Sequence, residues 1–153
     1  GFLAVGETYD LTGHDVAMSR GMWEALPDKF RPLPGRGNII VTSQRDYTIT
    51  KAYREQGVRI ALSTAQAKEM TTAAKLFFAG GQDLWYGARD HVDVLLINEI
   101  DSDVLIPQGV EGVLFPHLLD PTKLWPEFVR ESEKRQTDDK AGFPVKFRRY
   151  IRQ

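Results

Sequence analysis

"HDVAMSRGMWEALPDKFRPLPGRGNIIVTS", His14 to Ser43, is the stretch whose reading decides the fold. "HDVAMSR" is a short apolar-rich run of strand length. "GMWEALPDKF" turns helical until Pro27 stops it, because the residue before a proline is pushed out of the helical region. Pro32, Pro34 and Gly35 then stiffen a tight approach to "NIIVTS", since proline fixes φ near about −65° and glycine admits positive φ. Arg31 and Arg36 are thereby held on a rigid shelf against a run of β-branched residues, a second strand.

Outward from this stretch the same alternation continues. "GFLAVG" at the start is a short apolar run bounded by glycines and reads as a buried strand. "DYTITKAYREQG" reads as a polar helical connection ending at Gly57, and "VRIAL" as a strand. "STAQAKEMTTAAK" supplies Ser63 or Thr64 as N-cap and alanine-rich helix formers behind it. "LFFAGG" is a strand closing on a glycine pair, "QDLWYGAR" a short helix and "VDVLLINEID" a buried strand. Strand, helix, strand in this order implies a parallel sheet, whose carboxyl-end loops hold ligands. The last third differs: "DSDVLIPQGVEGVLFPHLLDPTKLWP" reads as loops, while "EFVRESEKRQ" and "FPVKFRRYIRQ" alternate as an antiparallel hairpin would. The expected fold is α/β, a mixed and mostly parallel central sheet with flanking helices and a C-terminal antiparallel hairpin.

The chain has 153 residues, 42% hydrophobic and 27% charged, which suits one domain over residues 1–153 with a full core. Its 20 Lys+Arg against 21 Asp+Glu give a net charge of −1, so nothing global attracts a polyanion. The one basic run, "KFRRYIRQ", reads as a half-solvated terminal strand, and no nucleic-acid partner is expected. Without cysteine there is no disulfide or thiol chemistry, so a cytoplasmic location is expected and redox work requires a bound cofactor. The apolar start "FLAV" is too short for a signal peptide or a membrane span, so no membrane association is expected. His14, His91 and His117 lack ligand spacing, so no metal is expected.

Four ordered motifs resemble the dihydrofolate reductase family. "MSRGMWEALPDKFRPLPGRGNIIVTS" is similar to its M-G-R-x-T-W, L-P, P-G-R-x-N and β-run signature, "FFAGGQDLWYGA" to its I-G-G-x-x-x-Y motif, and "VLLINEIDSDV" to the strand that follows. The resemblance implies NADPH as cofactor, dihydrofolate or a related pterin as substrate, and a monomer. It places Arg20, Gly21 and Met22 at a phosphate-binding strand-to-helix turn, Thr42, Ser43 and Arg45 at the adenosine 2′-phosphate, and Ser63 beside the adenine. Ala79 would lie near the nicotinamide. Gly80 and Gly81 match a glycine pair held in an unusual peptide geometry against the cofactor, with Gln82, Asp83 and Leu84 after them. Arg36 would receive the α-carboxylate of the folate tail, Leu26, Phe30 and Leu33 would wall the benzoyl ring, and Ala4 and Val5 would line the pterin.

The departures fall on the catalytic side. The family carries a long loop and an acid-bearing helix between its first strand and the M-G-R strand, whereas only "ETYDLTGHD" stands here. The acid that orients and helps protonate the pterin therefore has no aligned counterpart, and the catalytic residue stays unassigned. Glu7 and Asp10 are the nearest carboxylates, each also readable as a solvated loop acid, and Asn98 could hold a water in the acid's place. Ser19 replaces the M-G-R glycine, Met22 the threonine, and Gln82 a third glycine. A compact divergent reductase and a numbered chain that omits a stretch both remain open, and so does a reductase-like protein that binds nucleotide or a protein partner with little turnover.

Overall fold

The computed structural model of the chain describes residues 12–100, 121–137 and 144–153. These fall into two compact units, one within Asp10–His91 and one within Val92–Gln153. The first is built on four parallel strands: β1 (Asp15–Ser19), β2 (Gly37–Val41), β3 (Arg59–Ala61) and β4 (Leu76–Ala79), in the order β3-β2-β1-β4. β1 is flanked on both sides, with Ala17 opposite Ile39 of β2 and Phe78 of β4.

Alternation along the strands sorts the core into two layers. Val16, Met18 and Ile40 gather Trp23, Leu26, Ile49 and Val58 on one face. Ala17, Ile39 and Ala61 meet Ala67 on the other. Helix α1 (Arg20–Ala25) thus covers the first face through Trp23, and α3 (Thr64–Met70) the second through Ala67, a small residue that lets helix and sheet approach closely. Ser19 caps α1 by accepting from the Met22 amide, and Ser63 caps α3 by accepting from the Gln66 amide. α2 (Lys51–Glu55) is capped by Thr50, and α4 (Gln82–Ala88) opens on Gly81.

α1 stops at Ala25, before Pro27 as the sequence predicts, and Asp28–Phe30 forms a separate 3-10 turn. Two other helices are shorter than predicted, for identifiable reasons. The connection before Gly57 is helical only over Lys51–Glu55, because Thr50 turns its hydroxyl back to the Tyr53 amide as a cap. α3 ends at Met70 rather than running on to Lys75. Arg59 Nη1 donates to the Met70 carbonyl at 2.5 Å and the Thr71 hydroxyl donates to Asp15, so the chain leaves the helix there.

In the second unit β5 (Val94–Ile100), β6 (Phe128–Thr137) and β7 (Pro144–Arg152) form an antiparallel sheet in the order β5-β7-β6, with a register shift between Arg130 and Ser132. The expected hairpin is present. The α/β class also stands, with the parallel and antiparallel strands in two separate sheets. The basic tail is the terminal strand expected, but it lies in the middle of the sheet and is more buried than half-solvated: Val145, Phe147, Arg148 and Tyr150 are buried. Its charges are paired, Arg148 with Glu99 at 2.6 Å and Glu133 at 2.9 Å, Lys146 with Glu99 at 3.0 Å, and Arg149 with Glu131. "VDVLLINEID" is half-buried along β5 and runs antiparallel to β7. Among the described residues no helix is long and apolar enough to cross a membrane.

Candidate functional site

Because β1 to β4 run the same way, their carboxyl ends open on one edge, and four loops gather there. Ser19 leads into Arg20, Gly21 and Met22; Val41 into Thr42, Ser43, Gln44 and Arg45; Ala61 into Leu62, Ser63 and Thr64; and Ala79 into the glycine pair. Cross-links hold them together. The Thr42 amide donates to the Ala61 carbonyl at 3.0 Å, and the Thr64 hydroxyl to the Gly87 carbonyl at 2.5 Å. Arg20 donates to Gln44, lies 3.7 Å from the Glu24 carboxylate, and stands over the Tyr47 ring at 5.9 Å. It therefore ties the β1 loop to the β2 loop.

The glycine pair has two different environments. A Cβ on Gly80 would lie 2.9 Å from a Leu84 methyl and 3.3 Å from both the backbone nitrogen and the hydroxyl of Ser19, so the ends of β4 and β1 touch through it. A Cβ on Gly81 would meet nothing within 4 Å, and its φ of −81° is ordinary. Open space above one glycine, with a backbone-tight contact under its neighbour, fits a nucleotide approaching the main chain at Gly81. One expectation is corrected: the cis peptide bond among the described residues is Arg31–Pro32, and Gly80–Gly81 has none of the unusual geometry anticipated.

The other cofactor candidates divide by exposure. Arg45, Ser43, Ser63, Gly21 and Asp83 face solvent, and Arg45 has no ion pair among the described residues, which leaves its fork free for an anion. Thr42, Thr64 and Leu84 are buried. Thr42 spends its hydroxyl oxygen on the Gln44 amide at 3.2 Å and so shapes the loop that presents Arg45. Met22 and Ala79 are half-buried against the core, and Gln82 is half-buried at the start of α4.

The proline turn places Arg36 at the amino end of β2. Its Nε donates to the Pro34 carbonyl at 3.0 Å, and its terminal nitrogens pair with no carboxylate among the described residues. Gly35 takes φ +70°, where only glycine is unstrained, and its carbonyl accepts from the Gly13 amide at 2.8 Å. Phe30 stands 48% exposed, an apolar surface available to a ring, whereas Leu26 is buried in the core and Leu33 is packed against it. Ala4, Val5, Glu7 and Asp10 lie outside the described residues. Asn98 is exposed on β5, opposite Phe147, in the second unit.

Sequence reasoning passed over one carboxylate. Asp15 is 6% exposed and opens β1, where it accepts from Arg59 at 2.8 Å and from the Thr71 hydroxyl at 2.5 Å. Burial pushes its carboxyl up, but the bonds from Thr71 and Arg59 and the Arg59 charge outweigh that and hold it below the usual value. Gly37 is required beside it, since a Cβ there would sit 1.9 Å from Oδ1. An acidic residue at the head of an otherwise apolar strand was the available signal. Among the described residues no group of histidines and carboxylates could hold a metal.

The family model described as dihydrofolate reductase matches residues 9–152. The chain belongs to the dihydrofolate reductase family. The dihydrofolate reductase of Neisseria meningitidis serogroup A is 32% identical over 140 residues, which span 92% of this chain and 76% of that one. The dihydrofolate reductase of Mycobacterium tuberculosis strain H37Rv is 29% identical over 110 residues, 72% of this chain and 61% of the relative, so the chain spans about three fifths of that relative's length. A solved dihydrofolate reductase from Enterococcus faecalis, described as complexed with NADP(H) and RAB-propyl, matches with a TM-score of 0.68 and 18% identity over 93% of this chain and 76% of that one. That likeness carries the dihydrofolate reductase fold.

Proposed function

We propose that this chain reduces 7,8-dihydrofolate to tetrahydrofolate with NADPH, as one domain and a monomer in the cytoplasm. The observation that carries the reading is the carboxyl edge of the parallel sheet, where Gly81 opens on free space beside the tight Ser19–Gly80 contact. Family membership supplies the chemistry to test there. Bound NADPH would supply a hydride to C6 of the pterin, while N5 takes a proton.

The chain's own residues bind and orient. Arg45 and Ser43 present charge and hydroxyl donors to the 2′-phosphate, the feature that separates NADPH from NADH. Arg20, held by Gln44, adds positive charge where β1 meets α1. Ser63 and Thr64 border the adenine, and the exposed backbone of Gly81 leaves room for the nucleotide. At the other ligand, Arg36 offers its free terminal nitrogens to a planar carboxylate, and Phe30 offers its ring. The absence of cysteine is consistent with a cytoplasmic enzyme.

A reductase-like protein that binds nucleotide with little turnover is favoured by one observation. Among the described residues of the first unit the buried carboxylate is Asp15, which is already committed to Arg59 and Thr71. Two measurements separate the readings: dihydrofolate-dependent loss of NADPH absorbance and calorimetric titration with NADPH. Turnover supports the reductase, binding without turnover supports the second reading, and neither overturns both.

A further inference from the structure

We propose that Asn38 is a positioning residue for carboxylate recognition, holding the Leu33–Arg36 turn so that the Arg36 fork is fixed before ligand arrives. The inference rests on the reading of Arg36 as the receiver of the folate carboxylate. Asn38 is the second residue of β2 and is 3% exposed. Its Oδ1 accepts from the Leu33 amide at 2.9 Å, and its Nδ2 donates to the Leu33 carbonyl at 3.0 Å and to the Arg36 carbonyl at 3.0 Å. One buried amide therefore pairs with both polar groups of Leu33, as a neighbouring strand would, and also pins the backbone of the arginine itself.

The chemistry of the side chain is specific. The turn needs an acceptor for the Leu33 amide and a donor for two carbonyls, on one short side chain. Aspartate offers acceptors only, and serine is too short to span all three. With Asn38 in place, Gly35 at φ +70° completes the reversal and Arg36 Nε reaches the Pro34 carbonyl at 3.0 Å, so the guanidinium is tethered through the nitrogen it does not need for a forked pair. Fixing the fork in advance removes ordering cost from binding.

The test compares equilibrium binding of folate with that of a pterin lacking the glutamate tail, read by quenching of tryptophan fluorescence, in wild type, Asn38→Ser, Asn38→Asp, Arg36→Ala and the Arg36→Ala/Asn38→Ser double variant. Asn38→Ser should weaken folate about tenfold, the scale of one charge-assisted hydrogen bond. Binding of the tail-less pterin should not change, and Asn38→Ser should add nothing once Arg36 is gone. Equal losses for both ligands would make Asn38 a support of the fold and overturn the proposal, as would unchanged folate binding. Should the Asn38 variants not fold, hydrogen exchange in the wild type decides: Asn38 side-chain amide protons must be protected without ligand, and free exchange refutes the clasp. If Arg36→Ala leaves folate binding intact, the carboxylate reading of Arg36 fails and this inference with it. If Arg36→Ala weakens folate and Asn38→Ser does not, only this inference fails.

Discussion

Alanine at Gly80 should lower stability and alanine at Gly81 should lower NADPH binding, although the two positions are adjacent. At Gly80 the new methyl would lie 2.9 Å from a methyl of buried Leu84 and 3.3 Å from the Ser19 backbone nitrogen at the end of the central strand. Leu84 has little room to turn, and the backbone must give by a few tenths of an ångström. Overpacking of this kind costs about 1–3 kcal/mol. At about 2–4 °C per kcal/mol for a chain of this size, the melting temperature should fall by about 2–12 °C. At Gly81 nothing lies within 4 Å and φ is −81°. Alanine is a poorer N-cap than glycine for α4, but it removes about 0.4–1 kcal/mol of unfolded-state freedom, so the two nearly cancel. Its effect should appear only with NADPH, which at about 100 times its Kd stabilises a binding protein by about 2.7 kcal/mol. Melts of wild type and both variants, with and without NADPH, read all of this. A wild-type NADPH shift in Gly81→Ala, or a wild-type melting temperature in Gly80→Ala, would refute the reasoning.

Three further outcomes are expected. Arg45→Ala should cost about 1–3 kcal/mol in NADPH binding and leave NADH binding unchanged; equal wild-type affinities for the two nucleotides by calorimetry would count against the phosphate role. Glu133 is pulled from its ordinary 4.5 to about 2 by the hydrogen bonds from Arg148 and Arg135, so its contribution to stability is full above about 4.5 and is lost as pH falls toward 2, with Asp15 acting in the same direction. Denaturant titrations across that range should show a shallower acid slope in Glu133→Gln than in wild type. Turnover should rise with acidity without levelling at a carboxyl pKa if solvent supplies the N5 proton; a loss of about 10² to 10⁴ in neutral-pH rate in Glu7→Gln or Asp10→Asn would instead assign the acid to that residue.

The strands and the loops at their carboxyl ends were legible because buried parallel strands are short apolar runs and ligand loops follow them in a fixed order. "VAM", "NIIV", "RIA" and "LFFA" carry that signal unaided. What stayed hidden depends on contacts between distant residues. Asp15 meets Arg59 44 positions away and Thr71 56 positions away, and those bonds end α3 against the helix propensity of its sequence. The P-G-R-x-N pattern displayed Asn38, but nothing local reveals that its amide turns back to Leu33 rather than outward. The "KFRRYIRQ" tail misled for a similar reason. Its arginines suggest solvent until Glu99 and Glu133 on the flanking strands are seen to neutralise Arg148.

The position of Asp15 bears on which group could protonate N5. It opens β1, and Ser19 closes the same strand beside Gly80. At about 3.3 Å per residue, β1 separates the two by about 13 Å, more than twice the reach of an aspartate side chain. The Asp15 Oδ2 already accepts from both Arg59 and Thr71, and the absence of a side chain at Gly37 leaves space for Oδ1. Freeing Asp15 would leave Arg59 without its carboxylate and the turn after Met70 without its anchor. The amino edge of the sheet thus holds a committed carboxylate, whereas the carboxyl edge keeps Arg45 with no ion pair among the described residues, exposed Ser43 and the open face of Gly81. A proton donor for a ligand at the carboxyl edge cannot be recruited from Asp15 by a small shift. The rates of Glu7→Gln and Asp10→Asn, rather than any substitution in the sheet, therefore test how N5 is protonated.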